Sequence, residues 1–370
     1  MNSKNKEEFD RWFQSVDDQQ PVDLLKNIVE KEGLRQELWQ RVATNTIVED
    51  ESEVKRKPYS LVRRLRVPVA IAASLLLTLT FGYLFLNSSK RTEQNQVAAV
   101  KPGREAASLT LSDGKKILLV DLQVGQVATE EGLTISKTKN GELTYEVKAA
   151  KGEGSGFNIL STSKGETYTI KLPDGSLAKL NAASSLSYPV NFGKHERRVK
   201  MTGEVYFEVA KVDLPDHTGR MPFFVETAQQ QIQVLGTQFN VNAYKEEPYI
   251  QTTLVEGSVR VSTSSGRSAL LRPGQQAMVA NDISVGAADM ESQLAWINGD
   301  FVFKREELKS ILYKISRWYD VEIDCPESLG KLRFTGMVAR SQPLADVMEM
   351  ISALGKIKLT LKERRLVVTP

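Results

Sequence analysis

Leu109-Thr-Leu-Ser-Asp113-Gly114-Lys-Lys-Ile-Leu-Leu119 and Ile170-Lys-Leu-Pro-Asp174-Gly175-Ser-Leu-Ala-Lys-Leu180 share one pattern, an alternating apolar run that meets Asp-Gly and resumes. Alternation at period two puts every second side chain on one face of a sheet, and Asp-Gly supplies the corner of a tight hairpin. Between the two copies, Lys139-Asn140-Gly141-Glu142 offers an Asn-Gly turn and Gly152-Glu-Gly-Ser-Gly156 reads as a flexible joint. That glycine run has neither G-x-x-x-x-G-K-[ST] nor G-x-G-x-x-G spacing, so it is no phosphate cradle.

The β pattern continues toward the C-terminus. Val205, Phe207 and Val209 alternate, as do Ile232 with Val234, Phe239 with Val241 and Ala243, Ile250 with Thr252 and Leu254, and Val259 with Val261. Turn signals separate them at Pro173-Asp-Gly175, Glu256-Gly257, Ser265-Gly266 and Arg272-Pro273-Gly274. Short strands at this spacing predict a mostly-β domain over 105–290, a twisted sandwich or solenoid. Tyr188, Tyr206, Tyr244 and Tyr249 are candidates to stack on sugars, against the plainer role of packing a half-buried sheet.

From about residue 296 to 370 the rhythm changes. Phe301-Val-Phe303 reads as a strand, and Leu308, Ile311, Leu312, Ile315, Trp318 and Tyr319 as a helical stripe, followed by alternating Val321, Ile323 and Cys325. A second copy starts at Leu332 and Phe334. Pro343 then opens a helix with Leu344, Val347, Met348, Ile351 and Leu354 on one face, and Ile357, Leu359 and Leu361 alternate. Leu366-Val-Val368 can close the sheet. Strand–helix–strand twice predicts a small α/β module, with Cys325 filling a small core position.

Toward the N-terminus the chain changes character. Val67 to Leu86 is twenty residues without a charge, eleven of them Leu, Ile, Val or Phe. As a helix it spans a hydrocarbon core of roughly 30 Å, and those eleven favour insertion by about 3 to 7 kcal/mol. It starts too late for a cleaved secretory signal, so a retained transmembrane helix is expected. Lys55, Arg56, Lys57, Arg63, Arg64 and Arg66 precede it closely, and only Lys90, Arg91 and Lys101 follow in the next fifteen residues. This excess, set closest to the span by Arg63, Arg64 and Arg66, predicts a cytoplasmic N-terminus and a periplasmic C-terminal region.

Residues 1–46 carry three helical stripes. Phe9, Trp12, Phe13 and Val16 form the first; Leu24, Leu25, Ile28 and Val29 the second; Leu34, Leu38, Trp39 and Val42 the third. Three such short helices bury little surface, so this all-α head is expected to be completed by a partner touching Phe9, Trp12, Phe13, Leu24, Leu25, Ile28, Leu38 and Trp39. Residues 47–66 form a charged linker and 87–104 a polar one. The fold class expected is thus a multidomain membrane protein: helical head, one transmembrane helix, mostly-β domain, small α/β module.

Composition narrows function further. Net charge is +3 from 49 basic and 46 acidic residues, without the clustered basicity of a nucleic-acid binder. One cysteine excludes an internal disulfide, and two histidines with that single thiol cannot assemble a histidine metal site, so no metal or other cofactor is expected. There is no G-x-S-x-G and no H-E-x-x-H, and no catalytic residue is assigned.

Six motifs in order carry a resemblance: Leu172-Pro-Asp-Gly-Ser176, Leu180-Asn-Ala-Ala-Ser184-Ser185-Leu186, Arg197-Arg-Val-Lys-Met-Thr-Gly203-Glu-Val-Tyr-Phe-Glu208-Val, Val234-Leu-Gly-Thr237-Gln-Phe-Asn-Val241, Leu254-Val-Glu-Gly-Ser258-Val and Leu271-Arg-Pro-Gly274-Gln. With them the chain resembles the FecR-type transmembrane anti-sigma regulators over about 105–370. Its last module resembles the short signalling domain of secretins and TonB-dependent transducers. The resemblance implies a head that holds an extracytoplasmic-function sigma factor and a C-terminal module that meets the signalling domain of an outer-membrane TonB-dependent transporter. Phe301, Phe303, Leu308, Leu312 and Phe334 are the expected contacts there. It implies release of the sigma factor by an intramembrane or periplasmic protease, without direct nucleic-acid contact. Some members of that family cleave themselves at a Gly–Thr bond, and Gly236-Thr237 is the matching pair; the plainer reading is a glycine bulge. Two other functions compete: a membrane-anchored glycan- or cell-wall-binding module, and an envelope component of secretin type.

Overall fold

The computed structural model describes residues 100–130, 133–139, 142–147, 156–355 and 357–370. Nineteen strands, β1 (Arg104–Glu105) to β19 (Ile283–Ala287), build a β domain. Its first sheet holds β2 (Ser108–Thr110), β3 (Lys116–Leu118), β7 (Phe157–Ser161), β10 (Ser185–Pro189), β12 (Phe223–Glu226), β13 (Gln230–Val234), β16 (Val259–Thr263) and β17 (Ser268–Leu271). The second holds β4 (Gly125–Glu130), β5 (Leu133–Lys137), β6 (Leu143–Val147), β8 (Glu166–Lys171), β9 (Leu177–Leu180), β14 (Gln238–Ala243), β15 (Ile250–Glu256), β18 (Gln275–Val279) and β19.

One long strand, β11 (Arg197–Glu208), belongs to both sheets. Its first half pairs with β10 and β12, its second with β9 and β14. The change of partner falls at Gly203, whose φ of +76° bends the strand where a side chain would run into Ser184. After it, pairs of strands alternate between sheets: β12–β13 in the first, β14–β15 in the second, β16–β17 in the first and β18–β19 in the second. The core lies between the sheets, where Phe207 of β11 stacks on Phe239 at 5.2 Å and meets Phe223 of the first sheet at 6.2 Å.

The two Asp-Gly corners fold alike. Gly114 and Gly175 both have φ of +86°, and in each turn a leucine N–H (Leu111, Leu172) reaches the carbonyl four residues on, at 2.9 and 2.7 Å. Asp113 Oδ1 accepts the Lys115 N–H and Asp174 Oδ1 the Ser176 N–H. They differ in surroundings. Asp113 is exposed, whereas Asp174 is interior and receives the guanidinium of Arg197 at 2.8 Å.

Asp289 caps a short helix, α1 (Met290–Leu294), and a 3₁₀ turn (Ala295–Asn298) leads into the last module. Here β20 (Asp300–Glu307), α2 (Leu308–Tyr319) and β21 (Glu322–Asp324) are followed by a one-turn α3 (Glu327–Gly330). Next come β22 (Arg333–Ala339), α4 (Leu344–Gly355), β23 (Lys358–Lys362) and β24 (Arg365–Thr369). The strands form two sheets rather than one: β20 pairs antiparallel with β22, and β24 lies between β21 and β23. A second apolar cluster, with Leu308, Ile311, Leu312 and Ile315 from α2 and Leu344, Val347 and Ile351 from α4, fills the space between them. Cys325 is half-buried at its margin.

The fold class expected from the sequence is corrected here. Among the described residues no helix is long and apolar enough to cross a membrane, and the fold is mostly β with four α-helices. The longest two, α2 and α4, have twelve residues each, about 18 Å against a hydrocarbon core of about 30 Å, and each buries one face in the module. The all-α head 1–46, the linker 47–66, the stretch Val67–Leu86 and most of 87–104 lie outside the described residues, as do the turn at Asn140-Gly141 and residues 152–155 of the glycine joint.

Candidate functional site

The seam between the β domain and the last module holds a cluster of buried polar side chains, Asn181, Glu204, Arg317 and Arg340. Glu204, next to the Gly203 bend, accepts hydrogen bonds from Asn181 Nδ2 at 2.7 Å and Asn240 Nδ2 at 2.9 Å. Asn181 turns its Oδ1 toward the module and accepts from Arg340 Nη2 at 2.9 Å. Arg340 lies 3.8 Å over the Trp318 ring, and Trp318 Nε1 donates to the Arg340 carbonyl at 2.8 Å. Burial pulls the Arg340 guanidinium down to about 10, with Glu204 acting in the opposite direction.

A second joint sits beside it. Arg317, near the end of α2, lies 3.8 Å over the ring of Tyr244 and donates to Glu246 at 2.6 Å and Glu247 at 3.3 Å. Burial by itself would lower the Arg317 pKa, but Tyr244, Glu247 and Glu246 outweigh it and the net shift is upward. Burial pushes Glu247 up in spite of Arg317, and pushes the Tyr244 hydroxyl, which donates to the Ala182 carbonyl at 2.6 Å, well above its ordinary value. A third joint is Lys179, whose ammonium reaches the Ile297 carbonyl at 2.9 Å near the Trp296 ring.

Two clefts flank Arg317. One, of about 630 Å³, is lined by Glu204, Asn242, Glu247, Trp296 and Lys314 among others. The other, of about 660 Å³, is bordered by Tyr244, Lys245, Tyr313 and Ile323. Both signs of charge meet here with planar stacking, an arrangement that fixes orientation between two bodies. Among the described residues no group of three or more His, Cys, Asp or Glu is placed to hold a metal ion.

The sequence-derived site residues fall elsewhere. Phe301, Phe303, Leu308, Leu312 and Phe334 are all interior to the second cluster, at most 6% exposed, so in this fold they pack the module and do not face a partner. Their apolar character reported a core. Tyr188 and Tyr244 are buried, Tyr206 is half-buried and Tyr249 exposed, so the four make no common stacking face. Phe9, Trp12, Phe13, Leu24, Leu25, Ile28, Leu38, Trp39 and the basic Arg63, Arg64 and Arg66 lie outside the described residues.

Gly236 and Thr237 connect β13 to β14. Gly236 has φ of +154°, and Thr237 is buried with its Oγ1 donating to the Ser258 carbonyl at 3.1 Å and its carbonyl accepting the Val209 N–H at 3.0 Å. The partner strand shifts register at Gln238/Phe239, so the bond lies beside a bulge. Arg317 and Arg340 escaped sequence reading because each is one polar residue beside an apolar stripe or strand, and Asn181 and Glu204 were read only as parts of quoted motifs, with no role assigned. The single hint is Arg317 standing directly before Trp318 in the buried stripe of α2.

An all-β domain joined through a polar seam to a small α/β module is the class that this geometry defines. Residues 158–260 match the family described as FecR protein, and residues 300–368 match FecR, C-terminal. The chain is similar to two crystal structures described as a "putative anti-sigma factor from Parabacteroides distasonis ATCC 8503", at 28% and 29% identity with a TM-score of 0.52 in both. The similarity covers 58% and 57% of this chain, and 98% and 97% of those chains. Comparison with curated proteins gives no match.

Proposed function

We propose that this protein is an anti-sigma regulator whose N-terminal region binds an extracytoplasmic-function sigma factor. Its described domains receive the releasing signal. The observation that carries the reading is the succession of the two FecR family domains, together with the likeness of this part of the chain to proteins described as anti-sigma factors. The apolar stripes of residues 1–46 suit binding by coupled folding. The signal comes from the signalling domain of an outer-membrane TonB-dependent transporter, and a periplasmic or intramembrane protease completes the release. The protein acts at the inner membrane with its N-terminus cytoplasmic and its described domains periplasmic, a reading supported by the basic Arg63, Arg64 and Arg66.

The test is co-purification of the full-length chain with the sigma factor encoded beside it, with Trp12→Ala and Trp39→Ala as controls. Retention that the substitutions weaken supports the reading; no retention by a folded chain refutes it. The one enzymatic activity proposed is self-processing: attack by the Thr237 hydroxyl on the Gly236 carbonyl would convert the amide to an ester that water splits, giving two fragments. Wild type would then run as two fragments and Thr237→Ala as one band, whereas one full-length band in both rules the event out.

A further inference from the structure

Residues 100–107 carry the chain from its N-terminal region into β2, and they run through the seam. Val100 is buried in the cluster of the last module and not in the core of the β domain to which its neighbours belong. Gly103 lies against Trp318 so closely that an added Cβ would stand 2.5 Å from the ring and 2.8 Å from the Gly165 carbonyl. Arg104 N–H donates to that same carbonyl at 2.8 Å, while the Gly165 N–H donates to the Arg317 carbonyl at 2.7 Å. Arg104 and Glu105 form the parallel strand β1 on Glu166 and Thr167 of β8. The end of α2 thus covers the segment from one side and β8 holds it from the other. The side chains of Lys101 and Arg104 are nevertheless exposed. What is held is the backbone, with the N–H groups of Arg104 and Ala106 bonded to the Gly165 and Thr167 carbonyls at 2.8 and 3.0 Å, and the backbone is the part a protease must draw out as an extended strand.

We propose that Arg317 and Trp318 clamp residues 100–105, so that seating of the last module shields this segment from proteolysis and unseating it exposes the segment. The clamp is held shut by the side chains that join the module to the β domain: Arg317 on Glu246, Glu247 and Tyr244, and Arg340 on Asn181. A partner that draws the module away has to break those contacts, and the same displacement lifts Trp318 from Gly103. Signal and cleavage site are then one mechanical element. The consequence in cells rests on the anti-sigma reading, whereas the clamp itself does not.

Trypsin is a suitable probe, because Arg104–Glu105 is a cleavable bond whereas Lys101 is followed by Pro102. Full-length protein is digested under native conditions, and cuts after Arg104 and after Arg267, in the exposed turn between β16 and β17, are timed by mass spectrometry. Arg317→Met loosens the clamp from the module side and Gly103→Val from the segment side. Each should speed the Arg104 cut about tenfold or more and leave the Arg267 cut within about twofold, because cleavage reports the local open population. An unchanged Arg104 cut in both variants overturns the clamp, and so does a rise at Arg267 in step with it, which is general loosening. In cells Gly103→Val should raise sigma-dependent transcription without a signal. Faster cleavage with a flat reporter overturns the anti-sigma reading and leaves the clamp standing.

Discussion

Asp174→Asn, with Asp113→Asn as its twin, separates what a turn needs from what a buried charge needs. Both aspartates occupy the same corner and accept the N–H two residues on, at 3.0 and 2.8 Å, a bond that an asparagine carbonyl can also accept. Only Asp174 faces Arg197, at 2.8 Å, with side-chain exposures of 4% and 1%. The other Arg197 partners are the neutral carbonyls of Ala210 at 2.8 Å and Met221 at 2.7 Å, plus the face of Phe223. Removing the carboxylate therefore leaves a cation buried without a counter-charge, which costs about 3–5 kcal/mol. At Asp113 the same change stays within about 0.5 kcal/mol. For a domain of this size each kcal/mol lowers Tm by about 2–4 °C, so Asp174→Asn should lose about 6–20 °C and Asp113→Asn about 2 °C at most. Urea melts and thermal scans followed by far-ultraviolet circular dichroism measure both. A loss under about 1 kcal/mol at Asp174, typical of a solvated pair, would refute the burial argument. Equal losses at both sites would place the cost in the turn.

Gly203→Ala puts a side chain at φ of +76° where its Cβ would overlap Ser184. The backbone conformation alone costs about 1–3 kcal/mol, and a urea midpoint that does not move would show that β11 can change sheets without glycine. Glu247 has its carboxyl raised above 4.5 by burial, so its contribution to stability is fully present below the unfolded carboxylate value and lost as pH rises through the folded one. Glu247→Gln should therefore flatten the fall in stability from about pH 4.5 upward, read from urea midpoints across that range; an unchanged slope contradicts the assignment.

Much of the β domain was legible because period-two alternation and turn chemistry are local. Val205 and Phe207 alternate in sequence and face the core in β11, and the near-repeat at Asp113 and Asp174 folds into two turns with the same hydrogen bonds. The stripe on α2 was legible for the same reason, since period 3.6 marks the face that is buried. Function was harder to read from apolar residues. Phe301, Phe303 and Phe334 look alike in sequence whether they fill a core or wait for a partner, and only the surrounding packing shows that they fill one.

The sequence by itself determined several of the strands, among them those around 205–209, 239–243 and 259–261, the Asp-Gly turns, and that a small α/β module follows, because these depend on residues within a few positions of one another. Only the tertiary structure decided that β11 is shared by two sheets, that Asp174 meets Arg197 while Asp113 meets solvent, and that Arg317 and Arg340 tie the last module to Glu246, Glu247 and Asn181. Asn181 and Arg340 are 159 positions apart, and no periodicity or turn rule links residues at that separation. They meet because burying the apolar surface of two neighbouring cores leaves a seam between them, and a polar group in that seam must find its partner there.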